Sequence, residues 1–295
     1  MDEKTDIPDR AFELYDEYAH GFIDRRQFLS GLAAVAVGGL TVTALFEALM
    51  PNYALAEQVS FNDPDIRASY AIFPSPQGYG TGRGYLVAPS SLESPAPVVL
   101  VVHENRGLNP YIKDVARRLA KQGYIAFAPD GLYPLGGYPG NDDRGRELQA
   151  SMDGERLRQD FFAAARFAKG IEHGNGRLGA VGFCYGGGVV NRLAAEVPEA
   201  VDAAVPFYGA APPLDEVARI RAPLLIHMAG LDARINAQWP AYEAALKRHG
   251  KRYQAFVYPG VKHGFHNDST PRYDKSSAEL AWQRTVDFFG ANLTV

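Results

Sequence analysis

From Pro97 onward, short apolar runs alternate with amphipathic stretches, and no other feature restricts the fold of this chain as strongly. "PVVLVVH" (97–103) has the unbroken apolar character of a strand buried on both faces, and "YIKDVARRLAKQG" (111–123) repeats apolar residues at Ile112, Val115 and Leu119 before Gly123. The alternation continues through the strand-like "YIAFAPD", "LGAVGF", "AVDAAVPFYG", "APLLIHMAG" and "YQAFVYPG", separated by the helical patterns "LRQDFFAAARFAKGI", "GGGVVNRLAAEV" and "AQWPAYEAALKRHG". "AELAWQRTVDFFGANL" closes the chain as a last helix. This is the signature of βαβ units on a mostly parallel sheet with helices on both faces. One stretch breaks the rhythm: "GLYPLGGYPGNDDRG" (131–145) is rich in Gly, Pro and Asp and is expected to be a long loop walling a site.

The first 56 residues differ in character. An acidic stretch is followed by "DRRQFLSGLAAVAVGGLTVTALF", which starts with Arg25 and Arg26 and carries no charge from Gln27 to Phe46. A twin-arginine export signal is the expected reading, with the Ala54-x-Ala56 site placing cleavage before Glu57. An uncleaved anchor and a helical hairpin packed on the domain are the alternatives, the hairpin being kept open by the acidic residues Asp2 to Glu17. Residues 57–295 then form one domain, exported to an extracytoplasmic space or, with the segment retained, cytoplasmic. A net charge of −4 with no basic run gives nucleic acid no electrostatic footprint, so a small molecule is the expected partner.

The only cysteine, Cys184, lies in "GFCYGGG", between a strand-like run and a helix-like one. Gly182-Phe183-Cys184-Tyr185-Gly186 fits the G-x-nucleophile-x-G turn, in which the nucleophile is strained between strand and helix and glycines let the two backbones approach. The helix N-terminus favours thiolate over thiol. In that arrangement an acid and then a histidine follow along the chain, each after a later strand. Asp232 in "AGLDARI" and His263 in "PGVKHGFHN" occupy those places, with His266 as the competing base. Backbone N–H groups of Tyr185 and Asn105 are the expected oxyanion donors.

Together with Glu104 in "HENRGLNPYIKDVARRLAKQGY", these motifs resemble the dienelactone hydrolase family, cysteine enzymes of the α/β-hydrolase fold, over roughly Pro97 to the C-terminus. The resemblance implies a triad of Cys184, Asp232 and His263. It also implies a Glu104 that contacts the resting thiol and helps form thiolate, and hydrolysis of a lactone or ester through a thioester with no metal or organic cofactor. The sequence departs from the family where arginines hold the substrate carboxylate: Pro134 and Leu135 stand at one such place and Asn267 at the other. Arg234 and Arg106 are the candidate replacements. The aromatics Phe183, Tyr185, Tyr208 and Phe265 flank the site and are candidates to wall an acyl pocket, with aromatic core packing as the commoner alternative.

Other chemistry is thinly represented. His263 and His266 lack a third ligand at a recognisable spacing, so no metal site is expected, and "GYGTGRG" (78–84) reads as a hairpin or loop and not a phosphate cradle. A non-catalytic binding protein on the same fold is the alternative function. A redox-sensing thiol is disfavoured because the chain has no resolving cysteine.

Overall fold

The computed structural model describes residues 7–36 and 41–294. Four helices come first: α1 (Asp9–Ala19), α2 (Arg25–Val35), α3 (Val42–Leu49) and α4 (Tyr53–Ala56). An antiparallel hairpin, β1 (Ile66–Ser75) and β2 (Gly80–Pro89), leads into the alternating part: β3 (Ala96–Val102), α5 (Pro110–Lys121), β4 (Ile125–Pro129), α6 (Asp142–Ser151), α7 (Gly154–Lys169), β5 (Gly174–Phe183), α8 (Tyr185–Glu196) and β6 (Ala203–Phe207). The chain ends with β7 (Leu224–Ala229), α9 (Ala233–Asn236), α10 (Trp239–Arg248), β8 (Tyr253–Tyr258) and α11 (Lys275–Leu293). The sheet has the order β1-β2-β4-β3-β5-β6-β7-β8, with β1, β2 and β4 joined antiparallel and every other pairing parallel.

β3 shows why the apolar runs become central strands. Val98, Leu100 and Val102 point into a core shared with Phe161 of α7, Leu193 of α8 and Leu246 of α10, whereas Val99 and Val101 point to the opposite core with Ile112 and Leu119 of α5 and Phe289 of α11. Period-2 geometry splits a continuous apolar run between two layers, which a strand with one wet face would not need. α5 is delimited by its own sequence: Asn109 caps it by accepting from Ile112 N–H, Pro110 occupies the first turn, and Arg118 and Lys121 lie in the last turn against the carbonyl end.

The stretch expected to be loop runs into helix α6, whose first four residues, 142–145, fall within it. Its sequence, DDRGRELQAS, has no apolar stripe to betray it; Asn141 caps it, and the buried Asp142 anchors it by accepting from Arg106 Nη1 at 2.8 Å and from the hydroxyls of Tyr53 and Tyr138. The "GYGTGRG" stretch spans the β1–β2 turn and the start of β2, as a hairpin reading requires.

Residues 7–36 and 41–56 fold as helices against the domain. α1, α2 and α3 share a small core of Ala11, Leu14, Phe28, Leu32, Leu45 and Leu49, in which Tyr18 stacks on Phe28 at 4.7 Å. Arg25 and Arg26 open α2 beneath a capping box made by Asp24 and Gln27, and Arg25 reaches Asp143 at 2.7 Å. Further ties run from Asp9 to Lys262, from Asp16 to Arg272 and from the Ala19 carbonyl to Asn105 Nδ2. The uncharged run from Gln27 to Phe46 is not one rod: α2 stops at Val35 and α3 starts at Val42. Among the described residues no helix is long and apolar enough to cross a membrane.

Candidate active site

Strand β5 passes into α8 through Cys184, whose backbone takes φ 56° and ψ −115°, a left-handed value that a non-glycine residue holds only when its surroundings enforce it. The glycines supply that enforcement. A Cβ on Gly182 would overlap the Gly186 carbonyl, and one on Gly187 would overlap the Phe207 carbonyl, so strand and helix meet backbone to backbone. Tyr185 is the first residue of α8, and its N–H therefore has no acceptor within the helix. Asn105 lies in the turn after β3, and both residues border the cavity that Cys184 faces.

Asp232 follows β7 and His263 follows β8, which brings them together across 31 residues of sequence: His263 Nδ1 lies 2.5 Å from Asp232 Oδ2, and both side chains are almost wholly buried. Asp232 also caps α9, its Oδ1 accepting from Ile235 N–H. The cap and the histidine partner therefore occupy different oxygens of one carboxylate. With Nδ1 fixed by Asp232, His263 Nε2 is left buried without a hydrogen-bond partner. His266 is taken up elsewhere: its Nδ1 meets Tyr111 OH at 2.7 Å, and burial with nearby Arg118 holds it well below the ordinary histidine range, hence neutral.

Charge at the site is strongly redistributed. Burial disfavours the Cys184 thiolate, but the imidazoles of His263 and His20 more than offset it and hold the thiol well below its usual range. Burial likewise opposes charging of His263, and the Cys184 charge together with the Asp232 hydrogen bond pulls it up to about 10. Both shifts favour an imidazolium–thiolate pair over the neutral one. Glu104 is pushed up by burial and by the Cys184 charge, against the pull of Arg106.

Among the described residues no hydrogen bond joins Glu104 to the thiol. Its Oε2 accepts from Asn267 Nδ2 at 2.9 Å, and Asn267 is fixed in turn by Ser269, which donates from both backbone and hydroxyl to Asn267 Oδ1. A group at hydrogen-bond distance from Sγ is one that no motif pointed to: His20 Nε2, 3.4 Å away, at the end of α1. Another missed residue is His103, whose Nε2 accepts from Gly131 N–H and whose Nδ1 donates to the Glu104 carbonyl, joining the ends of β3 and β4. Burial lowers it to about 4, so it works as a neutral staple.

A cavity of about 590 Å³ opens beside Cys184 and is lined by Leu157, Val189, Ala210, Ala211 and Ile235 together with Tyr208 and the arginines 146, 158, 192 and 234. No carboxylate is among the described residues that line it. Two of the candidate wall aromatics take the core-packing alternative: Phe183 and Phe265 are fully buried in the core behind the site, Phe183 between Phe207 and His266, because both side chains project into the sheet–helix layer. Arg106 is corrected likewise, since it is buried against Asp142 and under the Tyr15 ring and does not line the cavity. Tyr208 and Arg234 do line it.

His20, Cys184 and His263 place ligand-type atoms within 4.8 Å of one another, a grouping of nitrogen and sulfur that a zinc-like cation could use. The guanidinium of Arg234, 2.9 Å from His20 Nε2, sets a positive charge against that use and favours an anion at the same point.

Comparison with known proteins agrees with this architecture. The dienelactone hydrolase family model matches residues 83–293, and a second model, YqhI-like, matches residues 1–37. A Saccharolobus solfataricus protein provisionally named carboxymethylenebutenolidase is 32% identical over 245 residues, covering 70% of this chain and 92% of its own. The Escherichia coli hydrolase fragment YghX is 65% identical over 114 residues, 39% of this chain and 97% of the fragment. Among solved structures, one from Klebsiella pneumoniae described as a dienelactone hydrolase superposes with a TM-score of 0.65 at 28% identity, covering 76% of this chain and 98% of that one. Fold, sheet order and family match converge, and the chain belongs to the dienelactone hydrolase family of α/β-hydrolase-fold hydrolases.

Proposed function

We propose that this hydrolase cleaves a carboxylic ester or lactone through a thioester on Cys184. The observation that carries the reading is the arrangement at the β5–α8 turn: a strained cysteine at a helix N-terminus, beside a cavity, with a buried Asp232–His263 pair whose Nε2 is unengaged. Sulfur attacks the carbonyl carbon, an S–C bond forms, and the carbonyl electron pair moves to oxygen, where the Tyr185 and Asn105 N–H groups are the candidate donors. Collapse restores the carbonyl and breaks the C–O bond, the leaving oxygen taking its proton from His263. Water then attacks the thioester with His263 as base, releasing the acid and returning the thiolate.

The cavity supports a substrate that carries an anionic group. Arg158 and Arg192 are paired with Glu155 and Glu196, whereas the Nε atoms of Arg146 and Arg234 are buried without a partner among the described residues. These arginines come from α6 and α9, not from the family positions that Pro134, Leu135 and Asn267 occupy here. The test is steady-state hydrolysis by the full chain of matched esters and lactones with and without a carboxylate. Turnover by wild type, preference for the anionic series and loss in Cys184→Ala are expected; full activity in Cys184→Ala would overturn the reading.

A further inference from the structure

We propose that His20, carried by the amino-terminal helical segment, is a further catalytic residue: it donates a hydrogen bond to the Cys184 thiolate and takes over at the sulfur the place expected of Glu104. This inference rests on the cysteine reading above.

Geometry carries it. His20 Nδ1 donates to the Asp16 carbonyl at 2.8 Å, one turn back on α1, with Asp16 Oδ1 at 3.4 Å, so the ring is oriented and its Nε2 faces Sγ at 3.4 Å. Asp16 is held by Arg272, and the end of α1 by the bond from Asn105 Nδ2 to the Ala19 carbonyl, which ties the segment to the turn that borders the cavity. The segment is a wall and not a plug, because the cavity stays open with His20 and Gly21 in its lining.

Glu104 is meanwhile turned to Asn267. The charged and titratable groups facing His20 are Asp16 from α1, Cys184 at the start of α8, His263 from the loop after β8 and Arg234 from α9. One nitrogen cannot both accept from Arg234 and donate to sulfur. With Nδ1 on the Asp16 carbonyl, a neutral ring offers its Nε2 lone pair to Arg234. Burial opposes charging His20, but the Cys184 charge and the Asp16 bond raise the ring to about 9, and the charged ring donates from Nε2 to sulfur, which requires Arg234 to turn away from the nitrogen it meets here. Arg234 is then left to meet an anion in the cavity.

In the reaction His20 forms and breaks no covalent bond. Its hydrogen bond is given up as the S–C bond forms and is regained when the thiolate departs. What it supplies is thiolate population at neutral and mildly acidic pH, at some loss of sulfur nucleophilicity. A mature chain beginning at Glu57 would lack this residue.

Because Cys184 is the only cysteine, thiolate absorbance near 240 nm and alkylation by iodoacetamide report on it alone. Full-length wild type, His20→Gln, Asp16→Asn and, as a control on the exposed face of α1, Arg10→Ala would be titrated from pH 4 to 10 with thermal melts alongside. The expected result is a midpoint at least one pH unit higher in His20→Gln and alkylation slowed about tenfold at pH values below the wild-type midpoint, a smaller shift in Asp16→Asn, and none in Arg10→Ala. An unchanged midpoint in folded His20→Gln overturns the proposal, as does an equal shift in Arg10→Ala. Should His20→Gln fail to fold, an unshifted Asp16→Asn overturns it and a shifted one supports it. No substrate enters these measurements, so failure of the hydrolase reading, seen as turnover surviving in Cys184→Ala, is a separate outcome.

Discussion

Replacing Asp232 with asparagine removes one charge from the Asp232–His263 pair while preserving size. The carboxylate has two duties, since Oδ2 meets His263 Nδ1 at 2.5 Å and Oδ1 accepts the Ile235 N–H that caps α9. An amide can fulfil only one. With its oxygen kept on Ile235, the NH2 faces Nδ1, which must turn its lone pair outward; the ring proton moves to Nε2, and Nε2 can no longer take a proton from water. With its oxygen turned to Nδ1 instead, the NH2 opposes the Ile235 N–H and the cap is lost at about 1 kcal/mol. The wrong tautomer in a Ser-His-Asp template costs about 10⁴ in kcat. A thiol ionises more readily than a serine hydroxyl, so about a thousandfold is expected here, or about 4 kcal/mol of transition-state stabilisation. The assay is kcat/KM on an activated aryl ester with the thermal midpoint measured in parallel. Retention of more than a tenth of wild-type activity would refute the reasoning.

Four further outcomes are expected. The pH profile of kcat/KM should be flat through neutrality, with thiolate protonation limiting it only at acidic pH and loss of the His263 proton limiting it near pH 10; these apparent values belong to the coupled pair. Because the folded value of His263 is raised from 6.5 to about 10, its contribution to stability is full below about pH 6.5 and lost as pH rises through 10, so denaturant midpoints of wild type and His263→Gln should converge at high pH. Gly187→Ala should destabilise by more than about 3 kcal/mol, read as a fall in thermal midpoint or loss of soluble protein, because its Cβ overlaps the Phe207 carbonyl. Arg146→Ala should raise KM about tenfold for carboxylate-bearing esters and leave neutral ones unchanged.

Legibility in the sequence followed the physics of each feature. β3, α5 and the Cys184 turn announced themselves because apolar period, a closing glycine and clustered glycines are local signals. Asp232 and His263 could be placed because the order of nucleophile, acid and base follows the strand order of the fold. Helix α6 could not, since it is polar throughout and held by one buried aspartate. Edge strand β1 has a mixed pattern of exposed and buried residues and gives a similarly weak period. His20 was invisible for a different reason: its partner is 164 residues away, and a lone histidine in an acidic stretch carries no spacing that points to sulfur. The flanking aromatics could not be assigned to cavity or core because closeness to Cys184 in sequence says nothing of which sheet face a side chain takes; Phe183, its immediate neighbour, points into the core.

The most direct test of the account is intact-protein mass spectrometry of the full chain, quenched within the first turnovers of an activated ester, for wild type and Cys184→Ala. The account predicts a transient adduct of the acyl mass, located on Cys184 by peptide mapping and absent from the variant. Turnover with no adduct in wild type, or an adduct that persists in Cys184→Ala, would contradict it.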